Sequence, residues 1–137
     1  MKKLIIILLL LCTKAYAQPP DTLHIGSYQM VIDAYAYQNL MPFVNSNQPK
    51  LIVIVWLSDV QKRRLSNFDP LAVYVHYQDT VWMAQGQRKN LSGSIEYTVR
   101  GGPAWPVGKY VNVALKLRHN NTSYFVGRPC VKIEAIY

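Results

Sequence analysis

The chain has little cysteine, little acid and little sign of helix. It holds two cysteines, Cys12 and Cys130, and Cys12 lies inside the N-terminal apolar run. If that run is removed no intrachain disulfide can form, which excludes a disulfide-stapled scaffold. The three histidines, His24, His76 and His119, are far apart, and no H-x-x-x-H or C-x-x-C spacing offers a metal its ligands. Asp59, Asp69 and Asp79 fall ten residues apart rather than in one calcium loop. There is no G-x-x-x-x-G-K or G-x-G-x-x-G to cradle a phosphate, and Ser92-Gly93-Ser94 lacks the context of a nucleophile elbow. Seven acids are spread along the whole chain, with no pair marked for acid–base work. The expectation is a protein that is not an enzyme and has no metal and no cofactor.

Lys2 and Lys3 lead an apolar stretch, Leu4–Cys12, followed by Thr13-Lys14-Ala15-Tyr16-Ala17. A basic start, a short apolar run and an A-x-A site make a secretory signal. Residues 1–17 therefore read as a signal peptide cleaved near Ala17, and 18–137 as one domain. The run is too short for the roughly 20 residues of a membrane span. No later segment is long enough, so no membrane span is expected. Removing Lys2, Lys3 and Lys14 from fifteen basic residues leaves twelve against seven acidic ones. That is a mildly basic exported chain, periplasmic or extracellular, for which nucleic acid is not an expected partner. Lys62-Arg63-Arg64 is the one dense basic cluster and reads as a solvated surface. Cys130 fits a small apolar core position; the alternative for a lone exported thiol is pairing with a partner.

What is abundant is the material of strands. Thr22–Tyr37 alternates, with Tyr28, Met30, Ile32 and Ala34 on one face and Val31, Asp33 and Tyr35 on the other. Met41–Lys50 reads as a loop. Leu51–Leu57 is apolar on both faces, which predicts a central strand covered on both sides with Trp56 in the core. Ser58 with Gln61 resembles a capping box, predicting a helical turn or two before Phe68. Strands follow at Leu71–Tyr77, Thr80–Gln85, Ser94–Arg100 and Tyr110–Arg118. Thr122–Val126 and Cys130–Tyr137 are separated by a kink at Gly127-Arg128-Pro129. Seven to eight short strands with frequent turns predict an all-β, antiparallel sandwich.

One motif narrows this. Pro106-Val107-Gly108-Lys109-Tyr110-Val111-Asn112-Val113 resembles the E–F corner of immunoglobulin-like and fibronectin type III-like domains. The resemblance implies that Pro106 and Gly108 shape the turn and that Tyr110 is the corner tyrosine, bonded back to the chain upstream. It also implies strands B at Leu51–Leu57, C at Leu71–Tyr77, E at Ser94–Arg100, F at Tyr110–Arg118 and G from Thr122. The stretch Arg100–Tyr110, with Asp79–Trp82 ahead of it, is similar to small exported bacterial Ig-like β-sandwich proteins of no assigned function. Such a fold carries no particular chemistry.

Aromatics supply the functional lead. Trp105 stands in a Pro/Gly-bounded loop, either exposed or plugging one end of the domain. Tyr35, Tyr37, Tyr74 and Tyr124 are candidates for an aromatic surface. The expected function is a non-catalytic binding or interaction module that contacts an envelope or extracellular protein. The alternatives are a carbohydrate-binding module using exposed Tyr and Trp, with a glycan as ligand, and a small enzyme inhibitor.

Overall fold

The structure, a computed structural model, describes residues 18–40 and 50–137. The expected signal peptide over 1–17, with Cys12, and residues 41–49 of the expected loop lie outside these. Nine strands follow in order: β1 (Thr22–Ile25), β2 (Tyr28–Asn39), β3 (Leu51–Asp59), β4 (Asp69–Tyr77), β5 (Thr80–Ala84), β6 (Gln87–Leu91), β7 (Ser94–Gly102), β8 (Tyr110–His119) and β9 (Thr122–Ile136). The described residues contain no helix.

The fold is all-β, as the alternating runs predict. The strands form one mixed sheet in the order β5-β4-β8-β9-β2-β3-β7-β6, with β1 paired to the start of β2. The sheet curls until the inner faces of its two ends meet. Met30, Ile32 and Ala36 of β2, and Leu51, Val53, Val55 and Leu57 of β3, share one buried cluster with β4 and β8 residues. From β4 come Val73 and Val75; from β8 come Val111, Val113, Leu115 and Leu117. Along β2, β3 and β7 every second residue points inward, so period-2 alternation selects much of this core.

Several expectations are corrected. There are nine strands, not seven to eight, and the sheet is not purely antiparallel: β2 and β9 run parallel over Ala36–Asn39 and Ile133–Ile136. The first run divides in two because Gly26, at φ 56°, turns the chain back so that Ile25 pairs with Tyr28. The last two runs join in one bent strand. Its irregularity falls opposite Val111 and Val113, where Cys130 takes φ 57°. β6, QRKNL, has only one apolar residue and no alternation, and no strand is expected there. It pairs with β7 from Gln87↔Thr98 to Leu91↔Ser94.

No helical turn forms after Ser58. Few apolar residues follow at helical spacing, and Asp59 is taken by other bonds. It accepts from the Gln29 amide at 3.1 Å and from Arg63 Nε at 2.7 Å. Arg63 also donates to the Ser27 carbonyl at 2.7 Å and lies 4.1 Å above the Tyr28 ring. Arg63 thus leaves the solvated cluster and locks the β3–β4 connection to the β1–β2 turn. Phe68, fully buried at the end of that connection, stacks on His119 at 4.1 Å and meets Tyr28 edge-on at 5.0 Å.

Candidate functional site

β3 is buried on one face only. Leu51, Val53, Val55 and Leu57 point inward, while Ile52, Ile54 and Trp56 stand half-exposed on the outer face. This corrects the expectation of a strand covered on both sides and of Trp56 in the core. The register sets their neighbours. Across β2, Ile54 faces Tyr35, Ile52 faces Tyr37 and Trp56 faces Asp33. Across β7, Ile54 faces Thr98 and Trp56 faces Glu96. Directly opposed residues share one face, so these side chains form one surface.

The centre of this surface is apolar and aromatic. Tyr35 and Tyr37 stack with ring centroids 5.3 Å apart at an interplanar angle of 27°. Tyr35 is 36% exposed. The edge is polar and carries both signs. Asp33, Glu96 and Glu134 lie around it, the last opposite Tyr37, and Lys89 opposes Glu96 from β6. Glu96 accepts a hydrogen bond from the Trp56 indole N–H at 3.1 Å, which fixes the ring on the surface. A dry centre with a charged edge is how protein contact sites are built.

The five sequence candidates do not converge. Tyr35 and Tyr37 belong to this face. Tyr74 lies on the outer face of the other half, edge-on to Phe125 at 5.7 Å. Tyr124 packs against the core, and its neighbour Phe125 is the exposed aromatic instead. Parity decides this: Val126 is buried on β9, so Tyr124 points inward with it. Trp105 packs partly buried against the core, its ring 5.2 Å from Tyr77, while its carbonyl accepts from the buried Gln38 amide. Its ring is thus held between the core and Tyr77 rather than presented alone on a loop.

The corner expected around Tyr110 forms differently. Gly108, at φ 89°, donates its amide to the Ile133 carbonyl at 2.8 Å, and the Ile133 amide returns to Lys109 at 2.8 Å. Backbone bonds to β9 hold this turn, and Pro106 enters it exposed. Tyr110 is 60% exposed, and its hydroxyl accepts and donates no hydrogen bond among the described residues. Cys130, expected as a core residue, is exposed. Its amide donates to the Asn112 side chain at 3.0 Å, an anchor for the bulge that turns the thiol out.

Ile52, Ile54 and Phe125 were missed as surface residues. Their signal was available: in an apolar run flanked by alternating strands, one parity must face out. Among the described residues no three of His, Cys, Asp and Glu gather as metal ligands, and no helix is long and apolar enough to cross a membrane. The chain matches no family model, no curated protein and no solved structure.

Proposed function

We propose that this chain is a non-catalytic binding module, exported with cleavage near Ala17, that contacts a protein of the envelope or extracellular space. The contact surface is the outer face of β2, β3 and β7. The observation that carries this reading is the Tyr35–Tyr37 stack joined to Ile52, Ile54 and Trp56, framed by Asp33, Glu96, Glu134 and Lys89. Tyr and Trp are the side chains that most often dominate contact energy, and a polar frame excludes water around them.

An immunoglobulin-like arrangement suits this role. The neighbours β2-β3-β7-β6 and β5-β4-β8-β9 follow the order A-B-E-D and C′-C-F-G, and the parallel β2–β9 pair brings the first and last strands of such a domain together. In this reading β3, β4, β7, β8 and β9 take the places B, C, E, F and G. Protein is favoured over glycan as ligand. Sugars stack on open ring faces, whereas Tyr35 and Tyr37 turn theirs toward each other and Trp105 is packed on Tyr77.

The test is a photo-crosslinking amino acid at Tyr35, in the native host, with the crosslinked species identified by mass spectrometry. One defined protein is expected, and Ile54→Lys, on an exposed face, abolishes the crosslink while leaving the thermal midpoint unchanged. A crosslink insensitive to Ile54→Lys, or glycan-array binding lost with Tyr35→Ala, overturns the protein reading. N-terminal sequencing of the exported chain is expected to begin at Gln18.

A further inference from the structure

We propose that two copies of this chain pair edge to edge through β5, antiparallel and centred on Trp82. β5 ends the strand order and pairs only with β4 among the described residues. Its hairpin fixes which backbone groups are spare. The two-residue turn Gln78-Asp79, with Gln78 at φ 51°, closes on Tyr77↔Thr80. In two-residue hairpins the closing pair is hydrogen-bonded, and bonded pairs then alternate along the ladder. Val75↔Trp82 and Val73↔Ala84 are therefore bonded pairs. The N–H and C=O groups of Val81 and Met83 point away from β4, with no protein partner among the described residues. Such an edge is a template for another strand.

The two ends of the sheet differ in how they are protected. β6 carries Arg88 and Lys89. Arg88 turns to the inner side and donates to the Phe68 carbonyl at 2.8 Å, and Lys89 occupies the outer side. Inward and outward charges of this kind block strand addition. β5 carries no charge and no proline. It exposes Val81 by 50% and Met83 by 53%. Trp82 holds it in place, its ring seated where a Cβ on Gly102 would come within 2.6 Å. The edge is thus ordered before anything binds, which lowers the entropic cost of association.

The sequence Thr80-Val81-Trp82-Met83-Ala84 is self-complementary about its centre. Antiparallel pairing on a two-fold axis at Trp82 sets Val81 of each copy opposite Met83 of the other. In that register every spare N–H and C=O of Val81 and Met83 meets a counterpart. The exposed apolar side chains meet on one face, beside Tyr74 and Phe125. Charge favours this site for like-charged copies: from Tyr77 to Gln87 only Asp79 is charged, so no cation faces another across the axis. A five-residue edge is far smaller than the roughly 1,600 Å² of a standard stable interface, so the dimer is reversible and concentration-dependent.

Sedimentation velocity over a concentration series, in a Cys130→Ser background, tests this. A reversible monomer–dimer equilibrium is expected. Combined Val81→Lys and Met83→Lys raise its dissociation constant by about tenfold or more, with the circular dichroism and thermal midpoint unchanged. Register is read by mixing Val81→Cys and Met83→Cys chains: oxidation gives covalent heterodimer far above the homodimer from either alone. Monomer at every concentration, a dimer indifferent to the lysines, or equal crosslinking in the unmixed variants overturns the proposal.

Discussion

Asp59 is a carboxylate with no surface in contact with water, held by Arg63 and the Gln29 amide. A buried charge survives only when it is paired and hydrogen-bonded. The bond from Arg63 holds its carboxyl at about 2, below the ordinary 3.8, against the opposing effect of burial. The sign follows by linkage. The folded state binds this proton less readily than the unfolded one, so the contribution is complete above the unfolded value. It is lost as the medium falls from about pH 4 towards pH 2. Urea midpoints across that range are expected to drop, and Arg63→Gln both lowers the neutral-pH midpoint and flattens the acid decline. An unchanged decline in Arg63→Gln would assign the acid loss to other carboxylates. Arg63 itself was read as one of three solvated cations. Nothing in Lys62-Arg63-Arg64 distinguishes the one whose reach ends on a buried partner four residues back.

At the scale of elements, the connection from β5 to β6 crosses between the two halves of the sheet at Gly86. A Cβ there would stand 1.9 Å from the Thr98 carbonyl oxygen, which is backbone and cannot swing aside. The Gly86 amide donates to the Tyr97 hydroxyl at 2.8 Å, and that hydroxyl also reaches the Leu71 carbonyl at 3.3 Å. Gly86→Ala is expected to cost about 1–3 kcal/mol of unfolding free energy by chemical denaturation, the usual penalty for forcing volume into a packed site. Strand positions and inward faces were legible because alternation follows from one local rule: Ile95, Tyr97 and Val99 point in wherever β7 sits. β6 was not legible, because its five residues are held by pairing to β7 and not by their own pattern. The outer aromatic face of β2 and β3 was half legible. Tyr35 and Tyr37 were marked by type, but Ile52, Ile54 and Trp56 join them only through a register that links β2 to β3 across residues 40–50.

For the whole molecule, β9 is the decisive strand. Its first part pairs with β8 and its last part with β2, so one continuous strand ties the β5-β4-β8 ladders to the β2-β3-β7-β6 ladders. The core is likewise one cluster. A single cooperative transition is expected, in which far-ultraviolet circular dichroism and tryptophan fluorescence give the same midpoint. Trp56 on the outer face, Trp82 on β5 and Trp105 beside Tyr77 sample three separate regions. A fluorescence change that precedes the loss of strand signal would contradict this unity.

The parallel pairing of β2 with β9 also has a mechanical meaning. Tension on the two ends of the chain pulls the start of β2 one way and the end of β9 the other. β1, antiparallel to β2, then opens one pair at a time, like a zip. The pairs from Ala36↔Ile133 to Asn39↔Ile136 are loaded sideways and together, so they must fail in one step. A protein tethered at one end and gripped by its ligand would resist force at this short seam. The strands that make it give no hint of that strength in their composition.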